Sequence, residues 1–154
     1  FDIKKLDWMN GNYIRQLSTD ELKSKIKNQK SKLQIKIQKL DAKIFDKLIE
    51  LAQTRISKLS DFYELTRWIF EESEAELSSE EKDLAKKLAQ ELSSIEQWNS
   101  EAILSAIKEV LEGEKAKMPV IYKILTGNEA GLPLPQTLEI LGREKTVKIL
   151  KKHI

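Results

Sequence analysis

Lys32, Lys36, Lys39, Lys43 and Lys47 recur every three or four residues, the spacing that places side chains on one face of an α-helix. A row of flexible ammonium groups suits phosphates: it can hold a nucleic-acid backbone while carrying little sequence information. The same row also serves simply to keep a long helix solvated, and composition alone leaves both readings open. Arg55 interrupts this lysine-dominated stretch, just before Ser57. Its planar fork of donors can meet two acceptors on one base edge, which a lysine cannot do. Trp68, Trp98 and Tyr122 offer flat faces that could stack on exposed bases, with core packing as the alternative at helical spacing.

Other chemistry finds little support. The single histidine, His153, stands next to the last residue and reads as an exposed terminal side chain. No His, Cys or carboxylate cluster has the spacing of a metal site, so no metal is expected. The five glycines are scattered and form no phosphate-cradling loop. The acidic run "EESEAELSSEE" lacks the pattern of a calcium loop and reads as a solvated connection. Serines are frequent, but none has an identifiable partner base. The absence of cysteine excludes a disulfide framework and fits a reducing compartment, hence a cytoplasmic location. No apolar run approaches the roughly 18 residues of a membrane span. The first residue, Phe1, is not a methionine, which suggests a piece excised from a longer protein.

A net charge of +2 conceals a strong asymmetry. Residues 23–58 carry eleven basic side chains against three acids, a local +8; residues 61–101 carry four against twelve, a local −8. The tail, residues 143–153, is again basic at +4. Such a distribution points to a polyanion on one side of the molecule and its repulsion elsewhere.

The elements that must position these residues read as helices throughout. "STDE" at Ser18 is a capping box, predicting a helix from Thr19. Its apolar stripe continues through Leu33, Ile37, Leu40, Ile44, Leu48 and Leu51 in steps of three and four, with the lysine row one position out of phase. The phase runs on across Asp41, where a break is the alternative to a single long helix. Ser60 reads as the next cap, with Phe62, Leu65 and Ile69 facing inward. A second capping box, "SSEE", begins at Ser78, and Asn99 caps a helix that Gly113 is placed to terminate. Pro119 opens a short apolar helix that Gly127 closes. "NEAGLPLP" reads as a loop, followed by short helices over "QTLEILG" and "REKTVKILKKHI". Near the start, Asn10-Gly11 reads as a turn within an aromatic cluster. The prediction is an all-α, irregular helical bundle in two subdomains, residues 1–72 and 73–154, divided at "ESEAEL".

The opening "FDIKKLDWMNGNYIRQLS" resembles the segment that follows the Lys-Met-Ser-Lys-type catalytic loop of bacterial-type glutamyl-tRNA synthetases. The resemblance continues through "TRISKLSDF", "QWNSEAI" and "LTGNEAGLPLPQTLEILGREKTVKIL", four patches in the family's order over nearly the whole chain. It implies an all-α stem-contact and anticodon-binding region, with tRNA(Glu) as partner. It also implies an N-terminal catalytic domain of the same polypeptide that uses ATP, with magnesium expected, to join glutamate to tRNA. No cofactor is expected in this chain, which should be inactive alone. Trp8, Met9, Tyr13 and Ile14 would form the apolar joint with that catalytic body. Arg55 matches an arginine position associated with the last anticodon base, in the form selective for glutamate tRNA. A second anticodon-reading position falls on Tyr122, where many members have the arginine of a proline-leucine-arginine run; Pro119 is one residue out of register with it. Lys123 stands next to supply charge, and Thr126 lies in the "LTG" patch. The function expected is therefore tRNA recognition, with Lys32, Lys36, Lys39, Lys43 and Lys47 on the backbone and Arg55, Tyr122, Lys123 and Thr126 at the anticodon. A helical protein–protein module is the alternative, and a free-standing enzyme a third option.

Overall fold

The structure, a computed structural model, describes residues 3–28, 42–70 and 76–152. Nine α-helices and no strand lie among them. The chain divides into two compact units, Phe1–Phe70 and Glu71–Ile154.

Unit 1 contains α1 (Ile3–Gln16), α2 (Thr19–Lys27), α3 (Ala42–Gln53) and α4 (Leu59–Phe70). α1 runs straight through Asn10-Gly11, correcting the expected turn. The glycine sits buried on the helix, and a Cβ there would stand 3.1 Å from Arg15 Nη1. The bare backbone thus makes room for the Arg15 guanidinium, which donates to Asn12 Oδ1 at 2.9 Å. A glycine inside a helix costs about 1 kcal/mol relative to alanine, and here the space is used.

Ser18 caps α2, its side chain accepting from the Glu21 amide, which is one half of the expected capping box. The long helix does not form. α2 ends at Lys27, and α3, beginning at Ala42, packs back against it. Lys23 pairs with Asp46 at 2.6 Å, which one straight helix would hold roughly 34 Å apart. Leu22 and Ile26 meet Phe45, Leu48, Ile49 and Ala52 in a core that α4 completes with Phe62, Tyr63 and Ile69. Phe62 lies edge-on to Phe45 and Tyr63, with centroids 5.9 and 6.1 Å apart. The Tyr63 hydroxyl donates to the Ile26 carbonyl near the end of α2, where helix geometry leaves acceptors unmet. Gln53 Nε2 does the same for the end of α1, donating to the Ile14 and Leu17 carbonyls at 3.0 and 2.6 Å. α4 begins at Leu59 rather than after Ser60. Its cap comes from inside the helix, where the Asp61 carboxylate accepts from the Ser57 and Lys58 amides at 3.0 and 3.2 Å.

Unit 2 contains α5 (Ser79–Ser93), α6 (Ser100–Glu114), α7 (Met118–Thr126), α8 (Leu134–Leu141) and α9 (Arg143–Lys151). α5 packs on α6, α7 and α9, while α8 closes the core against α6 and α9. Leu84, Leu88, Leu92, Ile103, Ile107, Ile121, Ile124 and Leu138 fill the centre. Each such burial contributes roughly 1.5–3 kcal/mol before ordering costs. The capping box at Ser78 is complete in both directions, and Asn99 Oδ1 accepts from the Ala102 amide.

α6 runs past Gly113 to Glu114. Lys115, not Gly113, takes the left-handed conformation at φ 53°, the only non-glycine residue among those described with positive φ. The Ala116 amide bonds the Leu111 carbonyl at 2.9 Å and the Lys115 amide bonds that of Glu112 at 3.4 Å, the two bonds of a Schellman end. α7 has Pro119 in its first turn and Gly127, at φ 82°, as its stop. α8 starts at Leu134, two residues before the expected "QTLEILG", because Pro135 lacks an amide hydrogen only where none is needed. Gly142, at φ 89° and ψ 162°, makes the corner into α9, a conformation essentially restricted to glycine.

Candidate nucleic-acid interface

Arg55 is exposed on the turn joining α3 to α4. The turn is tied down on both sides. The Arg55 and Ile56 amides reach back to the Ala52 carbonyl, Ile56 is fully buried, and Asp61 clamps the next two amides. A guanidinium at this place therefore has a rigid base, as specific recognition requires. Lys43 and Lys47 are exposed one helical turn apart on α3, and Lys58 is exposed beside Arg55. Lys32, Lys36, Lys39 and His153 lie outside the described residues.

Tyr122, Lys123 and Thr126 share α7 in unit 2, and each is half-buried. The Tyr122 hydroxyl donates to the Leu132 carbonyl at 2.9 Å, and its ring covers Gly131. Lys123 Nζ lies 3.1 and 3.0 Å from the two carboxylate oxygens of Glu81. Glu81 also accepts from the Ser78 amide at 2.9 Å. That amide first, and Lys123 second, hold the Glu81 carboxyl below the usual glutamate range. The Thr126 hydroxyl donates to the Tyr122 carbonyl and accepts from the Asn128 amide at 3.1 Å. Tyr122 and Thr126 thus shape the loop after α7, while Lys123 ties α7 to the start of α5.

The aromatic candidates are anchored too. Trp68 is buried, with its indole on the Leu65 carbonyl. Trp98 donates to the Leu138 carbonyl at 3.0 Å and carries the Arg143 guanidinium 5.7 Å from its ring centroid. Arg143 also donates to the Ile95 carbonyl, which ties the α5–α6 turn to the start of α9.

Sequence reasoning picks out Trp8, Met9 and Tyr13 as an apolar cluster but misses their helical alignment with Leu6, and it misses the Glu81–Lys123 pair. Helical numbering through Gly11 aligns Leu6, Met9 and Tyr13 on one face of α1; they are 40%, 53% and 56% exposed, and Trp8 is 65% exposed. Reading a turn at Asn10-Gly11 hid that stripe. Ile14 is spent in the core of unit 1. The Glu81–Lys123 pair joins residues 42 apart and has no local signal. Among the described residues no group of three or more His, Cys, Asp or Glu could hold a metal ion, and no helix is long and apolar enough to cross a membrane.

Residues 16–154 match a family model described as an anticodon binding domain. The chain is 32% identical to glutamate–tRNA ligase 1 of Fervidobacterium nodosum, over 100% of this chain and 33% of that protein. It is also 32% identical to the glutamate–tRNA ligase of Thermobifida fusca, over 98% of this chain and 35% of that one. The fold is similar to that of a crystallised glutamate tRNA ligase from Elizabethkingia meningosepticum, with a TM-score of 0.75 at 22% identity over 99% of this chain and 32% of that chain. The chain spans about a third of the length of the curated relatives it matches.

Proposed function

The chain belongs to the anticodon binding domain family, in the form that occurs in glutamate–tRNA ligases, and from that premise we propose that it holds tRNA(Glu) for glutamylation by a catalytic domain of the same polypeptide. The observation that carries this reading is the rigidly supported turn presenting Arg55, at the end of a helix with Lys43 and Lys47 exposed. In this reading the lysines, including Lys32, Lys36 and Lys39, position phosphates, and Arg55 reads a base edge of the anticodon. The half-exposed Tyr122 ring stacks on a base while its hydroxyl keeps the loop in shape. Lys123 contributes charge only by leaving Glu81, and Thr126 holds the loop that faces the RNA. The exposed Leu6, Trp8 and Met9 pack against the catalytic domain, where ATP and magnesium act. The two helical units, divided near residue 72, share the anticodon stem and loop. A cytoplasmic location follows from the tRNA partner.

The test is tRNA(Glu) binding across a salt series. Four to six phosphate contacts predict a log–log slope of roughly −3 to −5. Replacing Lys36, Lys39 and Lys43 with glutamine should flatten it. A binding constant indifferent to salt would assign the lysine row to solvation alone.

A further inference from the structure

Beside the Arg55 turn, unit 1 has a groove of about 350 Å³ that the tRNA reading does not absorb. Its floor is Ile14, Leu17 and Leu59, from the end of α1 and the start of α4. Its polar rim includes Asn10, Ser57 and Ser60. Two cations, Lys25 and Lys58, line it, and no acid does. Tyr13 stands at its edge, 56% exposed, with Lys25 Nζ 5.8 Å from the ring centroid.

An apolar floor, a flat aromatic face, hydroxyl and amide groups and two lysines are the parts that bind a nucleotide; the one carboxylate at this turn, Asp61, is turned to the Ser57 and Lys58 amides. Single-stranded RNA is taken up by stacking on aromatics, with cations tracking the backbone. The volume is at the small end of ligand sites and admits one nucleotide. We propose that this groove captures one unpaired nucleotide of the bound RNA, its base stacked on Tyr13 and its phosphate held by Lys25 and Lys58. Lys25 already reaches the ring by a cation–π contact. Its flexible stem lets the ammonium move to a phosphate as the base takes the ring face. Ser57 and Ser60 then offer hydroxyls to the sugar or base edge. Tyr13 thereby has a different task from Leu6 and Met9 on the same stripe, which belong to the joint with the catalytic domain. The inference rests on the tRNA-binding reading, and the experiment separates the two.

The full 154-residue chain is titrated with adenosine 5′-monophosphate while the Tyr13 ring protons are followed by NMR, and with tRNA(Glu) in a binding assay. A saturable upfield shift of the Tyr13 ring is expected with the nucleotide and none with inorganic phosphate. Tyr13→Leu should bind tRNA about tenfold more weakly, whereas Tyr13→Phe should stay within about twofold of wild type. Lys25→Gln leaves the ring in place and should lower the salt slope by about one. A Tyr13 ring that does not move with the nucleotide, or moves equally with phosphate, overturns the proposal. So does a Tyr13→Leu chain that binds tRNA as tightly as wild type, an outcome that leaves the tRNA reading standing. Saturable nucleotide binding by a chain that fails to bind tRNA supports the groove and sinks the tRNA reading instead.

Discussion

The α3–α4 turn of unit 1 and α7 of unit 2 carry the same kinds of side chain under opposite conditions. On the turn and the helix before it, Arg55, Lys58, Lys43 and Lys47 are exposed, and rigidity comes from backbone bonds and from Ile56 and Asp61. On α7, Tyr122, Lys123 and Thr126 are half-buried and make the structural bonds themselves. In the first case the backbone of the turn is held by Ile56 and by Asp61, residues other than the proposed reader Arg55, so the turn should keep its shape when Arg55 is changed. In the second the proposed readers make the bonds themselves, so changing one should also disturb unit 2.

The largest expected effect tests that coincidence. Tyr122→Ala removes a half-buried ring and leaves the Leu132 carbonyl without its donor, which should destabilise unit 2 by about 3 kcal/mol in urea unfolding. If Tyr122→Ala leaves stability untouched while weakening tRNA binding, α7 is a recognition helix like the turn and the contrast disappears. Next comes Arg55→Gln in the intact ligase. It should narrow the preference for glutamate tRNA over glutamine tRNA by about 2 kcal/mol, the worth of a bidentate base contact, with a melting temperature nearly that of wild type. Charging both tRNAs with wild type and mutant decides it. An unchanged ratio, or a large loss of stability, makes Arg55 a structural residue.

The Glu81–Lys123 pair gives a smaller effect with a distinctive pH dependence. Because the folded-state pKa of Glu81 is lowered, the stability it adds is complete above the ordinary glutamate value of 4.5 and is lost as pH falls through the depressed value. Glu81→Gln should therefore cost under about 1 kcal/mol at neutral pH and flatten the stability profile of unit 2 in that acid window. Equal acid sensitivity in wild type and mutant would remove the pair from any account of α7.

What could be read in the sequence was what is decided locally. Ser18, Ser78, Asn99, Pro119 and Gly127 each act within four residues, and each does what its type predicts. The all-α class follows from the same short-range periodicity. The packing of α3 back on α2 was legible only as the alternative of a break near Asp41, because an apolar stripe that keeps its phase looks the same whether the chain goes on or folds back. Asn10-Gly11 misled because turn preference is weak against a helix that gives Gly11 a use under Arg15. In the candidate site, Arg55, which the sequence marks as interrupting a lysine-dominated stretch, is exposed at the end of the helix stripe. The engagement of Lys123 depends on a partner 42 residues away, which no spacing rule reaches.

The end of α6 has a consequence in time. Gly113 could take the left-handed conformation freely, and a helix stopping there would be two residues shorter. Lys115 takes it instead, at a cost of roughly 1–2 kcal/mol, in return for the two closing bonds to Leu111 and Glu112. An ending at Gly113 would avoid that cost while giving up the two bonds, so the last turn should open more often than the unit around it unfolds. The Lys115 and Ala116 amides should then exchange with deuterium much faster than that of Ile107, deep in the same helix. Gly113→Ala, whose new methyl meets nothing within 4 Å, disfavours the shorter ending and should slow exchange at both amides several-fold. α6 would then be a helix whose length is an average over two lives, one ending at a glycine and one at a lysine.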